Sequence, residues 1–237
     1  MSHNRAEITK HQIAANSIRL NKNIVNNFIY LTLILSVTHI LAESFVDDYM
    51  LSRLQEKYGI DARQRGANLG GLIEKIKSAT VINQLTEINR YFNRFAYEED
   101  KTQWGVSDYW ATPEEFIGTS RGDCEDFVIA KYFALRSLGI EDSRLYLTYV
   151  KSIPLNAAHM VLSYFESPRS IPLILDNYEP RILSADRRKD LLPVYSFNAS
   201  SLFLTNSSAG LGQALPTQKV KNSKWTRLLE AVQGDKR

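Results

Sequence analysis

The spacing of apolar residues changes once, at Gly139, and that change limits the possible folds more than any other feature of the chain. Before it, apolar residues recur every three or four positions. "VINQLTEINRYFNRFAY" sets Val81, Leu85, Ile88, Phe92 and Phe95 on one stripe, as in an amphipathic helix packed on a core. After it come short runs rich in β-branched and aromatic residues: "RLYLTYV", "AHMVLSYF", "IPLILDN" and "PVYSFNASSLFL". Pro154, Asn156, Pro168, Pro172, Asn177 and Pro180 punctuate them as turn formers. "RLYLTYV" alternates, with Leu145, Leu147 and Tyr149 on one face. Helices followed by strands in series predict an α+β domain on an antiparallel sheet. The glycines of "RQRGANLGG" predict a break among the helices. "SKWTRLLEAV" predicts a terminal helix that docks only weakly.

Two helix starts are legible. Thr112-Pro113-Glu114-Glu115 places an N-cap, a proline at the first helical position and a capping-box glutamate. In "RGDCEDFVIAKYFALRSLGI", Gly122 allows a turn, Asp123 is an N-cap and Asp126 lies three residues on. Phe127, Ala130, Ala134 and Leu138 then line one face until Gly139 ends the helix. This places Cys124, the one cysteine of the chain, in a first helical turn.

Composition narrows the function. The chain has 237 residues and a formal net charge of +3. Residues 1–42 carry Arg5, Lys10, Arg19 and Lys22 against Glu7. The rest holds 25 basic and 25 acidic side chains. No global basic character remains there, which argues against a nucleic-acid partner, since that demands Lys and Arg clustered on one face. The first segment runs from a polar basic stretch into "IVNNFIYLTLILSVTHILAES". It reads as an export signal ending near Ala42, or as an uncleaved N-terminal anchor. Either way residues 43–237 form one domain outside the cytoplasm.

A lone thiol in an exported chain cannot pair within it. Its bland reading is a small buried hydrophobe. His3, His11 and His39 fall in the export segment, which leaves His159 as the one histidine of the domain. Asp176 closes the next apolar run, "LILDNYEP". Cys124, His159 and Asp176 together form a candidate nucleophile, base and orienter, with Asn177 as the rival orienter. The helix dipole favours a thiolate at Cys124, whereas Asp123, Glu125 and Asp126 oppose it. The three acids also read simply as first-turn residues complementing that dipole.

The blocks "DYWATPEEFI…RGDCEDFVIAKYFALRSLGI", "NAAHMVLSYF" and "LILDNYEPRIL" resemble the bacterial transglutaminase-like cysteine proteinases of the LapG type. The likeness spans roughly Glu43 to Asn206. It implies a papain/transglutaminase-like fold with the nucleophile at a helix N-terminus packed on an antiparallel sheet. It implies Cys124 as nucleophile, His159 as general base and acid, and Asp176 as orienter. It further implies a periplasmic, calcium-dependent endopeptidase that cuts a large surface adhesin near its N-terminus at a di-alanine site and so disperses biofilm. The implied partner is the periplasmic domain of an inner-membrane cyclic-di-GMP receptor. The family's calcium dependence points to Asp123 and Glu125 as principal ligands and to Asp126 as a further one, since carboxylates suit that ion. The backbone N–H of Cys124 is an expected oxyanion donor, with a second sought in "WGVSDYW". Two other functions share these residues: an acyl transferase of transglutaminase type, and a calcium-regulated binding module with a vestigial triad.

Overall fold

Asp47 starts the folded domain by capping a helix: its carboxylate accepts the Met50 backbone N–H at 2.7 Å. The protein is seen here in a computed structural model that describes residues 44–206, 210–214 and 223–234. The expected export segment, 1–42, lies outside the described residues. Helix α1, Asp48–Tyr58, meets α2, Ile60–Ile76, at Gly59, whose φ of +89° suits glycine. The break expected in "RQRGANLGG" is absent, because α2 runs straight through it. A Cβ on Gly66 would lie 2.6 Å from Leu54 Cδ1 and 2.9 Å from Leu51 Cδ2. That glycine lets α1 approach closely, and the packing offsets the ~1 kcal/mol a helical glycine costs.

Helix α3, Val81–Phe92, carries the expected stripe. Leu85, Ile88 and Phe92 are fully buried, with Val81 and Phe95 packed at its rim. A two-residue strand β1, Ala96–Tyr97, and a short helix α4, Asp100–Trp104, follow. Helix α5, Pro113–Thr119, has the full capping box. The Glu115 N–H donates to Thr112 Oγ1 at 3.2 Å, and the Thr112 N–H donates to Glu115 Oε2 at 2.8 Å. Strand β2, Arg121–Gly122, pairs in parallel with β1 and delivers the chain to α6, Cys124–Ser137. One apolar face was expected on α6. Instead every residue from Phe127 to Tyr132 is buried, because the helix lies between α3 and α5 on one side and the sheet on the other.

Seven strands form that sheet: β3, Leu145–Ser152; β4, Ala157–Tyr164; β5, Leu173–Leu175; β6, Leu183–Ser184; β7, Leu191–Phe197; β8, Leu202–Asn206; and β9, Gly210–Ala214. Their order is β6-β5-β4-β3-β7-β8-β9, and every pairing is antiparallel. The α+β class with an antiparallel sheet is therefore the one the sequence predicts. "PVYSFNASSLFL" divides into two strands at Asn198, whose Oδ1 accepts the N–H groups of Ser200 and Ser201 and turns the chain. Leu145, Leu147, Met160 and Leu162 join the core shared with the helices, while Val150, Val161, Ile174 and Leu191 cluster apart from it. The terminal helix α7, Ser223–Gly234, docks more firmly than expected. It buries Trp225 and Leu228, and the Trp225 ring meets those of Trp110, Tyr132, Phe133 and Phe197.

Close packing at Gly118 gives a test. A Cβ there would fall 2.4–2.6 Å from the Tyr58 ring, so the ring or the buried α5 must shift to admit it. Gly118→Ala is expected to destabilise the domain by about 1–3 kcal/mol, read as a lower urea midpoint with unchanged slope.

Candidate active site

The antiparallel register sets His159 opposite Val150 on β3, and β5 ends one residue before Asp176. The two side chains meet: His159 Nε2 and Asp176 Oδ1 are 2.8 Å apart, both deeply buried. Asp176 Oδ1 also accepts the Tyr178 N–H at 3.0 Å, and Oδ2 accepts Arg188 Nη2 at 2.8 Å. Asn93, just past α3, donates to the Asp176 carbonyl at 2.7 Å and fixes its backbone. Burial alone would raise this carboxyl. The bonds from His159, Tyr178 and Arg188 outweigh it and hold the pKa at about 2. No described hydrogen bond joins Asn177 to His159. The Tyr178 ring stands nearly perpendicular to the imidazole at 5.2 Å, with Tyr97 against its other side at 5.8 Å.

Cys124 opens α6, which packs on β4. Its thiol donates to Glu125 Oε2 at 3.1 Å. Burial pushes the thiol pKa well up, the Glu125 and Asp123 carboxylates push it further, and only the backbone N–H of Met160 pulls it down. Cys124 thus lies against the residue that follows His159. In the "WGVSDYW" segment, Trp110 is a core ring whose indole N–H donates to Asp108 Oδ1 at 3.2 Å. The Tyr109 hydroxyl donates to Glu115 at 2.9 Å. Both polar groups are already engaged by the framework.

The acids beside the thiol fall into two sets that share Asp123. One groups Asp123, Cys124 and Glu125; the other groups Asp100, Asp123 and Asp126, with ligand atoms within 4.8 Å of one another. Asp126 is also structural: Oδ1 accepts the Ala111 N–H at 2.8 Å and Oδ2 accepts the Asp123 N–H at 3.3 Å. Gly122 makes room for it, since a Cβ there would fall 2.3 Å from Oδ2. Asp100 Oδ1 and Asp123 Oδ1 are buried and accept no hydrogen bond from a described residue. Burial pushes Asp100 up to about 6, and it pushes Asp123 and Asp126 up more strongly, with Glu125 adding its charge to both. Crowded oxygens with unused lone pairs and mutual repulsion fit a hard cation such as calcium.

Three residues of this site had no signal in the sequence. Asp100 reads as a routine first-turn acid of α4. Arg188 comes from a loop and is clamped by Asp190 through Nε at 3.0 Å and Nη2 at 2.8 Å. Lys131 occupies an interior position of α6 with no exposed surface, and its amine meets no described hydrogen-bond partner. Burial draws its pKa down to about 7, partly countered by Asp176.

A family model described as bacterial transglutaminase-like cysteine proteinase matches residues 71–190. Solved structures of Legionella pneumophila LapG share 42% identity with the chain. One covers 77% of this chain and 95% of its own, with a TM-score of 0.66. An EGTA-treated form gives 0.67 over the same shares. A calcium-bound form gives 0.66 over 76% and 96%. No curated protein sequence matches.

The acidic cluster predicts a pH dependence. In the metal-free fold, Asp100, Asp123 and Asp126 hold protons that the unfolded chain, near pKa 4, gives up. Stability in chelator is then greatest below the unfolded value and is lost as pH rises from there through the folded values, that of Asp100 lying at about 6. Thermal unfolding in EGTA should show a melting temperature falling between pH 5 and pH 8. With calcium the fall should vanish. Superimposed curves in the two buffers would exclude the cluster as an ion site.

Proposed function

The chain belongs to the bacterial transglutaminase-like cysteine proteinases, and we propose that it is a calcium-dependent cysteine endopeptidase of the periplasm. Its substrate in this reading is a large surface adhesin, cut near its N-terminus at a di-alanine site, so that the adhesin is released and biofilm disperses. The periplasmic domain of an inner-membrane cyclic-di-GMP receptor restrains it. One observation carries the catalytic part: the 2.8 Å contact of buried His159 with buried Asp176, beside a helix that begins with the sole cysteine. The calcium-bound LapG structure and the crowded oxygens at Asp100, Asp123 and Asp126 support the metal.

The chemistry follows from the bonds already described. Asp176, kept ionised by Arg188 and the Tyr178 N–H, fixes the imidazole and favours its charged form. Because Nε2 is committed to Asp176, Nδ1 is the nitrogen left to exchange a proton with Cys124 Sγ. The thiolate adds to the scissile carbonyl carbon, and the Cys124 N–H at the start of α6 stabilises the oxyanion. The C–N bond breaks as His159 passes its proton to the leaving amine. His159 then deprotonates a water that hydrolyses the thioester. Asp100, Asp123 and Asp126, with Glu125, would hold calcium, which supplies positive charge next to the thiol when bound. Without such charge, Glu125 keeps the thiol protonated by accepting its hydrogen bond.

The test is incubation of the calcium-loaded protein with N-terminal adhesin fragments, read by mass spectrometry. Cleavage between alanines is expected, and it should be lost in Cys124→Ala and His159→Ala. Asp176→Asn should lower kcat on the order of 10²- to 10⁴-fold with KM little changed. Amine incorporation without cleavage would convert the reading to an acyl transferase. Slow alkylation of Cys124 with calcium present, together with no turnover, would leave a binding module. Against pH, the iodoacetamide rate should be higher with calcium than with chelator at neutral pH. Identical profiles would assign the ion to shaping the groove instead.

A further inference from the structure

Two tyrosine rings stand at the open edge of the site and take no part in the core. Tyr97 and Tyr178 are 48% and 50% exposed, and neither packs on the three apolar clusters of the described residues. A tyrosine kept for packing buries its ring, as Tyr91 and Tyr132 do. Each of the exposed pair is nevertheless fixed by the machinery beside it. The Tyr178 N–H donates to Asp176 Oδ1 at 3.0 Å, and its ring stands 5.2 Å from that of His159 at 73°. Tyr97 lies opposite Gly122 where β1 pairs with β2, and the next residue, Glu98, donates its N–H to the Gly122 carbonyl at 2.9 Å. Gly122 is two residues before Cys124. The two rings meet at 5.8 Å and 48°. The pair therefore spans from the strand that leads to the thiol to the turn that follows Asp176.

We propose that Tyr97 and Tyr178 form a specificity-determining wall for the substrate residue on the amine side of the scissile bond, and that the wall admits small apolar side chains there. The proposal rests on the proteinase reading given above. Its direction comes from the reaction. His159 hands a proton to the leaving amine, so the residue that carries this amine passes beside the imidazole. Tyr178 occupies one flank of that imidazole, and Tyr97 extends the same aromatic surface toward the strand before Cys124. The size preference comes from the shape of the pair. Two rings in mutual contact offer a face without depth. A methyl group lies against such a face, whereas a longer side chain must displace a ring or stay in water. The half of each ring that folding leaves wet is apolar area a bound peptide would cover, and covering it favours binding.

The experiment measures kcat/KM of the full calcium-loaded chain on quenched peptides that differ only in the residue after the scissile bond: Ala, Val, Leu or Phe. Wild type should favour Ala over Leu and Phe. Tyr97→Ala and Tyr178→Ala should each narrow that ratio about 10-fold or more, because the opened space takes methylenes the rings exclude. Tyr97→Phe and Tyr178→Phe should keep the wild-type ratio, since the ring is the wall. Varying the residue before the scissile bond should give one ratio for all variants. A merely structural role would slow every peptide alike, so a uniform loss would overturn the proposal, as would a wild type indifferent to the residue after the bond. If wild type cleaves no peptide, the proteinase reading fails. The ratio is then taken with a dialanyl thioester as acyl donor and the amides of alanine, leucine and phenylalanine as acceptors, whose amines enter from the same side. Equal rates there, or none, would overturn the wall as well. If circular dichroism shows Tyr178→Ala misfolded, Tyr97→Ala is read by the same criteria.

Discussion

A carboxylate can be buried only if something compensates its charge, and this domain contains both solutions to that problem. Asp176 has one supplied by the chain itself. His159, Arg188 and the Tyr178 N–H surround it, and Asn93 pins its backbone to the end of α3. The pairing of β3 with β4 and of β4 with β5 fixes where these groups stand. The acids around Cys124 have no such set. Asp100 Oδ1 and Asp123 Oδ1 lack described partners, so these acids stay buried by holding protons or by sharing a cation taken from solution. One half of the site is complete on folding, and the other half is conditional.

Cys124 sits between the two. Helix α6 begins at the acids and runs under the sheet, so its first turn feels the conditional half while its body is held by the permanent core. Phe127, Ile129 and Leu135, all fully or almost fully buried, belong to that core. A cation held at the acids, as the proposed function has it, would change the field at one sulfur.

How much of this could be read from the residues follows from the range of each interaction. The α3 stripe, both capping boxes and the strand series are local, encoded within a turn or two of chain. Cys124, His159 and Asp176 were legible because the domain offers one cysteine and one histidine. Asp100 and Arg188 were not, since each joins the site through tertiary contacts that no spacing encodes. The glycines of "RQRGANLGG" misled because a glycine that admits a neighbouring helix looks the same as one that ends its own. The all-round burial of α6 was missed for a related reason. A helix covered by both other helices and a sheet leaves no polar face from which a period could be judged, and Lys131 masquerades as that face.

The terminal helix changes what the end of the chain means. Trp225 rests on Trp110 and Phe197, and the residue after Trp110 gives its N–H to Asp126, which in turn braces the start of α6. The tail is therefore a buttress that reaches the start of α6 through this chain of contacts. A chain shortened before Ser223 would keep every residue of the chemistry and lose the wall behind it, so that a protein trimmed for convenience would be altered at its working end.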